Sequence, residues 1–340
     1  MNFKIICFCF ITLCGSNLAI AQADTLPYEM YKKKVVLYSD FGYTSAPFSL
    51  SYNFPGSVNK IAYRNNYKKV LGFGICHKWF ALRLFHSSKG DAKSEEMYGK
   101  TTYFGVGFNF NLGKSYWDID YRTFTGYAVK NAYQWNPALT SELPNDIRPN
   151  TKSIGFSINS WYFYNKDFKI QAVLGKTGHF IREVKSWYVK STFNIYGVTN
   201  EKNSLIPIQL IDPSNSKTSS SYFSAIDFGI VPGYAYANRK KNWQITGILG
   251  LGAVIQNKHY TVGPNGPDRG LIGLAPRYDI KIVGGYSVPK FFVFLVTDFD
   301  NKSIRFNDLI YKQSCFSIKL LGGIRINTKE KEKKKKKEKS

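Results

Sequence analysis

Read for alternation, the chain is a succession of strands. Between residues 152 and 164, Ile154, Phe156, Ile158 and Tyr162 share one face, and Gly155, Ser157, Asn159 and Trp161 share the other. Residues 186–197 repeat the pattern, with Trp187, Val189, Phe193 and Ile195 set against Tyr188, Lys190, Thr192 and Asn194. A period of two belongs to a β-strand, not to a helix. The same reading predicts strands at 47–53, 69–76, 78–85, 101–111, 115–126, 151–164, 168–177, 186–197, 220–237, 242–256, 273–286, 289–299 and 314–327, with a short one at 35–41. There is no helical periodicity of useful length, no fixed repeat and no linker that would divide the chain. In a soluble sandwich the polar face of such strands looks out. In a membrane barrel the apolar face meets lipid and the polar face lines the lumen.

The connections choose between these two. Short turns at 76–78, 112–114, 165–167, 238–241 and 287–288 alternate with long loops at 54–68, 86–100, 127–150, 198–219, 257–272 and 300–313. Transmembrane barrels arrange turns at one rim and loops at the other in this way, whereas a sandwich has no reason to. Paired glycines at alternate positions, Gly72/Gly74, Gly105/Gly107 and Gly250/Gly252, fit a strongly curved sheet. The alternation breaks once, between 165 and 219, and the thirteen main strands are an odd number where barrels of this kind are even. One extra strand at 205–211 (LIPIQLI) would remedy both. The expected fold is therefore all-β, an antiparallel up-and-down transmembrane barrel of 12 to 14 strands. Ile154, Phe156, Ile158, Val189 and Phe193 are expected to face lipid, and Ser157, Asn159, Lys190, Thr192 and Asn194 the lumen. On that reading, an arginine at Phe156 is costly and one at Asn159 cheap.

The chain ends support an envelope location. Lys4, an apolar run over 5–13 and Ala19-Ile20-Ala21 read as a secretory signal cut between Ala21 and Gln22. The expected organisation is a signal over 1–21, a periplasmic lead-in over 22–46, the barrel over 47–327 and a disordered tail over 328–340. Aromatic residues make up 16% of the chain, a surplus that interfacial belts would produce. Cys76 and Cys315 remain after cleavage. They are expected near opposite rims and so read as two lone thiols. The net charge is +24. The tail, with eight Lys and three Glu, holds five of it and is expected in the periplasm. Without the tail and Lys4 the rest still carries +18. For a secreted chain this excess points to a lysine-lined lumen or to anionic lipopolysaccharide, not to nucleic acid.

Several stretches together resemble a family of outer-membrane barrels of the Bacteroidota catalogued only as a domain of unknown function. They are Leu71-Gly72-Phe73-Gly74 with His77-Lys78-Trp79, Lys152-Ser153-Ile154-Gly155-Phe156-Ser157, Tyr162-Phe163-Tyr164-Asn165, Ser204-Leu205-Ile206-Pro207 and Pro232-Gly233-Tyr234-Ala235-Tyr236. The order matches across most of the mature chain. After Leu174, Gly175-Lys176-Thr177-Gly178-His179 departs from a glutamine- and serine-rich segment. The resemblance implies an outer-membrane location and no activity.

Catalytic chemistry is not legible. His77, His86, His179 and His259 are spread apart without zinc spacing. There is no nucleophile elbow, P-loop or dinucleotide fingerprint. His179 with Ser186, or His259 with Asp268, would have to be brought together by folding. Asn265 and Asp268 in a Gly/Pro-rich loop are too few donors for a calcium site. No cofactor is expected. The leading expectation is a monomeric outer-membrane barrel, surrounded by lipid and lipopolysaccharide, that passes or binds a small anionic solute. The rivals are a non-conducting barrel scaffolding a surface or secretion complex and, more weakly, a lipid-modifying enzyme.

Overall fold

The computed structural model describes residues 26–328 except 32, 67–68, 88–91, 113 and 264–265. The expected cleavage site at Ala21 and Gln22 and the basic tail lie outside the described residues. In chain order the strands are β1 (Tyr28–Met30), β2 (Lys34–Ser45), β3 (Phe48–Phe54), β4 (Val58–Arg64), β5 (Lys69–His77), β6 (Phe80–Ser87), β7 (Thr102–Leu112) and β8 (Ser115–Val129). They continue with β9 (Asp146–Phe163), β10 (Gly178–Phe180), β11 (Val184–Asn200), β12 (Tyr222–Lys240), β13 (Trp243–Thr261), β14 (Asp268–Ser287), β15 (Phe291–Arg305) and β16 (Ile310–Asn327). Two short helices, α1 (Ala92–Tyr98) and α2 (Ile170–Val173), lie in connections.

Twelve strands close a ring. From β5 each wall strand pairs antiparallel with the next through β6, β7, β8, β9, β11, β12, β13, β14, β15 and β16, and β2 joins β16 back to β5. The fold is an antiparallel up-and-down transmembrane β-barrel, because the strand order closes on itself and alternation turns an apolar face outward all round. Phe41, Phe73, Leu84, Phe104, Phe228, Leu249, Leu251, Leu295 and Leu320 are exposed on that face. At the rim carrying the short turns, outward aromatic rings touch in pairs, Trp187 with Tyr234 at 5.1 Å and Trp243 with Tyr286 at 5.5 Å. No helix among the described residues is long and apolar enough to cross a membrane.

The even count is reached by a different route from the one expected. Residues 205–211 are no strand. They form an irregular segment with a 3-10 turn at Ile208–Leu210 and bury Leu205 and Ile206. Residues 168–177 are no wall strand either: the stretch holds α2 and folds inside the barrel, burying Phe168, Ala172 and Val173. Its alternation was genuine burial on an irregular backbone. The first wall strand is β2, which lies inside the expected lead-in, so the barrel begins at Lys34 rather than 47. The loops at 257–272 and 300–313 shrink to 262–267 and 306–309 because β13, β14, β15 and β16 extend into them.

Both ends of the barrel are filled by the chain itself. At the loop end, β3 continues β2 along β16, and β4 reaches across to β8. This hairpin therefore folds over the mouth. Phe48, Leu50, Ile61 and Tyr63 pack there with Tyr127, Leu205, Ile206, Phe306 and Tyr311. Tyr63 donates to the Leu205 carbonyl, and Tyr127 donates to that of Ala46 at 3.2 Å. At the turn end, residues 164–183 fold inward, and β10 pairs with β1. Phe163, Phe168, Val173, Phe180, Phe292 and Phe294 form the second apolar cluster.

Candidate functional site: a charged belt between two plugs

Between the two apolar plugs the wall strands turn ionisable side chains inward. The carboxylates are Asp40, Asp118, Asp120, Asp227, Asp279, Asp298 and Asp300, and the bases Arg83, Arg122, Lys190, Arg277, Lys281, Lys302 and Lys319. The signs are matched in number, with Lys176 of the turn-end plug adding one more cation. Within this belt the lysines expected in the lumen are thus matched by carboxylates and are not in excess.

The belt is held by ion pairs and hydrogen bonds. Arg83 grips Asp40 with two bonds, at 2.7 and 2.5 Å. Inward Gly72 leaves room for that carboxylate, since a Cβ there would lie 2.5 Å from Asp40 Oδ2. Gly74 does the same for the Tyr38 ring. Asp279 accepts from Tyr188 at 2.9 Å, from Lys190 at 3.1 Å and from Trp161 at 3.3 Å. Asp298 lies 2.9 Å from Lys281 and 3.5 Å from Lys319. Arg277 pairs with Asp227, and neither side chain is more than 4% exposed. Such pairs persist inside a barrel because each charge finds its counter-ion and further donors when water is displaced.

The five residues expected in the lumen all sit in this belt. Thr192 donates to Asn159 at 2.8 Å, and Asn194 donates to Thr192 at 2.9 Å and to Asp227 at 2.7 Å. Lys190 also lies over the Trp161 ring, 4.8 Å from its centroid. Ser157 lines the same cavity. That cavity is small, about 130 Å³. Ile154, Phe156 and Ile158 alternate with the inward residues of β9, and Val189 and Phe193 with those of β11, so all five turn outward.

Two wall residues latch the turn-end plug. Arg325 donates to the carbonyls of Gly175, Lys176, Val288 and Phe291 and to the Ser287 hydroxyl. Gln244 donates to the Ala172 and Val173 carbonyls at 2.8 and 3.1 Å and accepts from the Phe180 amide at 3.1 Å. Sequence reasoning missed both, because each reads as one polar position on a strand. The turn-end mouth beside the plug holds a wider hollow of about 740 Å³, lined by Lys114, Lys166, Lys169, Glu29, Tyr28 and Tyr116 among others.

The catalytic pairs considered from sequence do not form. His179 shares a 2.7 Å hydrogen bond with the Tyr31 hydroxyl, while Ser186 donates to the Trp187 carbonyl. His259 sits opposite Gly270 on the outward face of β13. Cys76 and Cys315 are free thiols. Asn265 of the loop weighed for calcium lies outside the described residues, and among the described residues no cluster of metal-binding side chains occurs.

Among solved structures the chain is similar to the outer-membrane protease OmpT from Escherichia coli, at 10% identity, with 90% of this chain and 100% of that one covered and a TM-score of 0.39. It is similar to an outer-membrane channel from Pseudomonas putida F1 at 10% identity, covering 91% and 100%, TM-score 0.35. It is also similar to the β domain of the Bordetella autotransporter Brka at 9% identity, covering 85% and 99%, TM-score 0.35. Likenesses this loose say nothing of activity. No curated protein matches the chain. A family model does match it, over residues 22–325, and the chain belongs to that family, described as Domain of unknown function (DUF4421).

Proposed function

We propose that the protein is an outer-membrane β-barrel closed along its axis, which works through its two ends as a scaffold for a surface or secretion complex. The observation that carries this is the filling of both mouths by the chain's own segments, with a charge-matched belt between them. An anion path would need an open axis and a surplus of inward cations. The secretory signal and the apolar outer band support the outer membrane as its place. The loop end then faces outside and the turn end, with the basic tail, the periplasm. Planar-bilayer recording tests the closure: the expected result is no steady conductance, and a stable anion-selective conductance would overturn it. An epitope at Gly266 should be reached on intact cells and one after Ser340 only once the membrane is opened; a C-terminal tag reached on intact cells would reverse the orientation.

One observation favours a second reading, a binding protein for an anionic solute at the periplasmic end. The 740 Å³ hollow there carries Lys114, Lys166 and Lys169 against a single acid, Glu29, among its lining residues. Equilibrium dialysis of small di-anions against the wild type and a Lys166→Gln/Lys169→Gln variant tests it; equal retention by both would end this reading.

A further inference from the structure

The wall is not zipped evenly. β14 is bonded to β13 along almost its whole length, from Asp268 opposite Thr261 to Tyr286 opposite Trp243. To β15 it is bonded only from Ile280 opposite Phe299 to Ser287 opposite Phe292. β15 runs on to Arg305 bonded to β16 alone. Its end turns inward, so that the Phe306 ring lies 5.6 Å from Phe223 of β12 and 5.2 Å from Tyr260 of β13. Side chains take the carbonyls that β14 has left. Arg277 donates to Asn301 at 2.8 Å, Gln256 and the Tyr196 hydroxyl to Ser303 at 3.0 and 3.1 Å, and Lys258 to Arg305 at 2.7 Å. The seam is thus closed by side chains where the rest of the wall is closed by backbone.

This leaves residues 268–279 of β14 as an edge without a ladder partner, and its outward Ile272 and Leu274 are 79% and 75% exposed. Bare amides beside hydrocarbon are costly, and barrels close to avoid them. A strand from another chain is a poor occupant, because Pro276 lacks an N–H and proline on an edge works against strand addition. The charges favour a different one. Lys258, Arg269 and Arg305 border the gap, and among the described residues none of them has a carboxylate within ion-pair distance. A molecule with an anionic head and an alkyl chain meets both demands. Its head supplies acceptors and charge at the gap, and its chain covers the outward side chains.

We propose that the β14–β15 seam is a lateral binding site for an anionic amphiphile, with a phosphate or carboxylate head against Lys258, Arg269 and Arg305 and an alkyl chain along Ile272 and Leu274. The proposal rests on the wall lying in a membrane and not on closure of the axis. The test is calorimetric binding of dodecyl phosphate and dodecanoate to the folded, full-length protein in uncharged detergent. Saturable binding is expected, weakened about tenfold or more in Lys258→Gln/Arg269→Gln, in Leu274→Asp and in the exposed Arg305→Gln, each a loss of roughly 1.4 kcal/mol or more. Tighter binding of dodecyl phosphate points to a phospholipid-type head, and tighter binding of dodecanoate to a fatty acid. Absence of saturation, equal binding by all three variants, or equal competition by inorganic phosphate without a chain would overturn the proposal. A barrel that conducts along its axis yet still binds would remove the closed-barrel reading and leave the seam site standing.

Discussion

Arg325 Nε donates to the Lys176 carbonyl at 2.9 Å, tying the last wall strand to the segment that plugs the turn end. The two residues are far apart in sequence, and the bond is one of five acceptors that this guanidinium serves. Hydrogen bonds to a charged group contribute about 1.5–3 kcal/mol, and carbonyls left buried without a donor cost more again. Arg325→Met should therefore loosen residues 164–183 without opening the wall. The expected outcome is new protease cleavage in that segment with the barrel still folded. An unchanged cleavage pattern would show that Gln244 alone holds the plug.

The plug also carries a pH response. Burial, with the cations of Arg239 and Arg325 nearby, lowers the His179 pKa from 6.5 to about 4, although Glu29 lies 3.6 Å from its Nε2. The folded form thus resists a proton that the freed segment accepts. The stability that neutral His179 contributes to the plug is fully present above about pH 6.5 and is lost as pH falls from there through about 4. Hydrogen exchange of residues 164–183 should quicken across that window. His179→Gln should flatten the profile, and an equally steep profile in that variant would assign the response to another group.

Asp227→Asn should be among the costliest single changes in the belt. It leaves the Arg277 guanidinium buried without its counter-ion, a change worth about 3–5 kcal/mol. Arg277→Met/Asp227→Asn should recover part of that loss, because the uncompensated charge is gone. Urea titration of the refolded barrel reads both, and a double variant no better than the single one would contradict the pairing.

Phe156→Arg places a charge on the outward face and should cost about 2–4 kcal/mol in a bilayer. Asn159→Arg, expected to be cheap in an open lumen, should instead cost as much. Asn159 is buried, and its side chain accepts from Thr192 in a packed belt. Comparing the two in lipid vesicles decides it. A cheap Asn159→Arg would mean that the belt is wetter and looser than its hydrogen bonds imply.

The period of two was enough to identify most strands of the wall and their two faces, and the alternation of short and long connections pointed to a barrel. Alternation is local: a side chain on a pleated strand must point to one face or the other, so Phe156 and Asn159 declare their sides without help from the rest of the chain. The short turns expected at 76–78 and 238–241 fall within a residue or two of those formed, at 78–79 and 241–242. Tertiary structure alone decided which apolar stretches joined the wall. Residues 168–177 and 205–211 carry strand-like apolar patterns, but they fold inside, where burial on an irregular backbone leaves the same trace in the sequence as burial on a strand. The charge of the lumen was equally hidden. Net charge is a sum over the chain, whereas a belt such as Asp227 with Arg277 is set by which strands are neighbours. Asp227 on β12 and Arg277 on β14 meet from either side of β13, an arrangement set by the register and curvature of the sheet and not by either residue's place in the sequence.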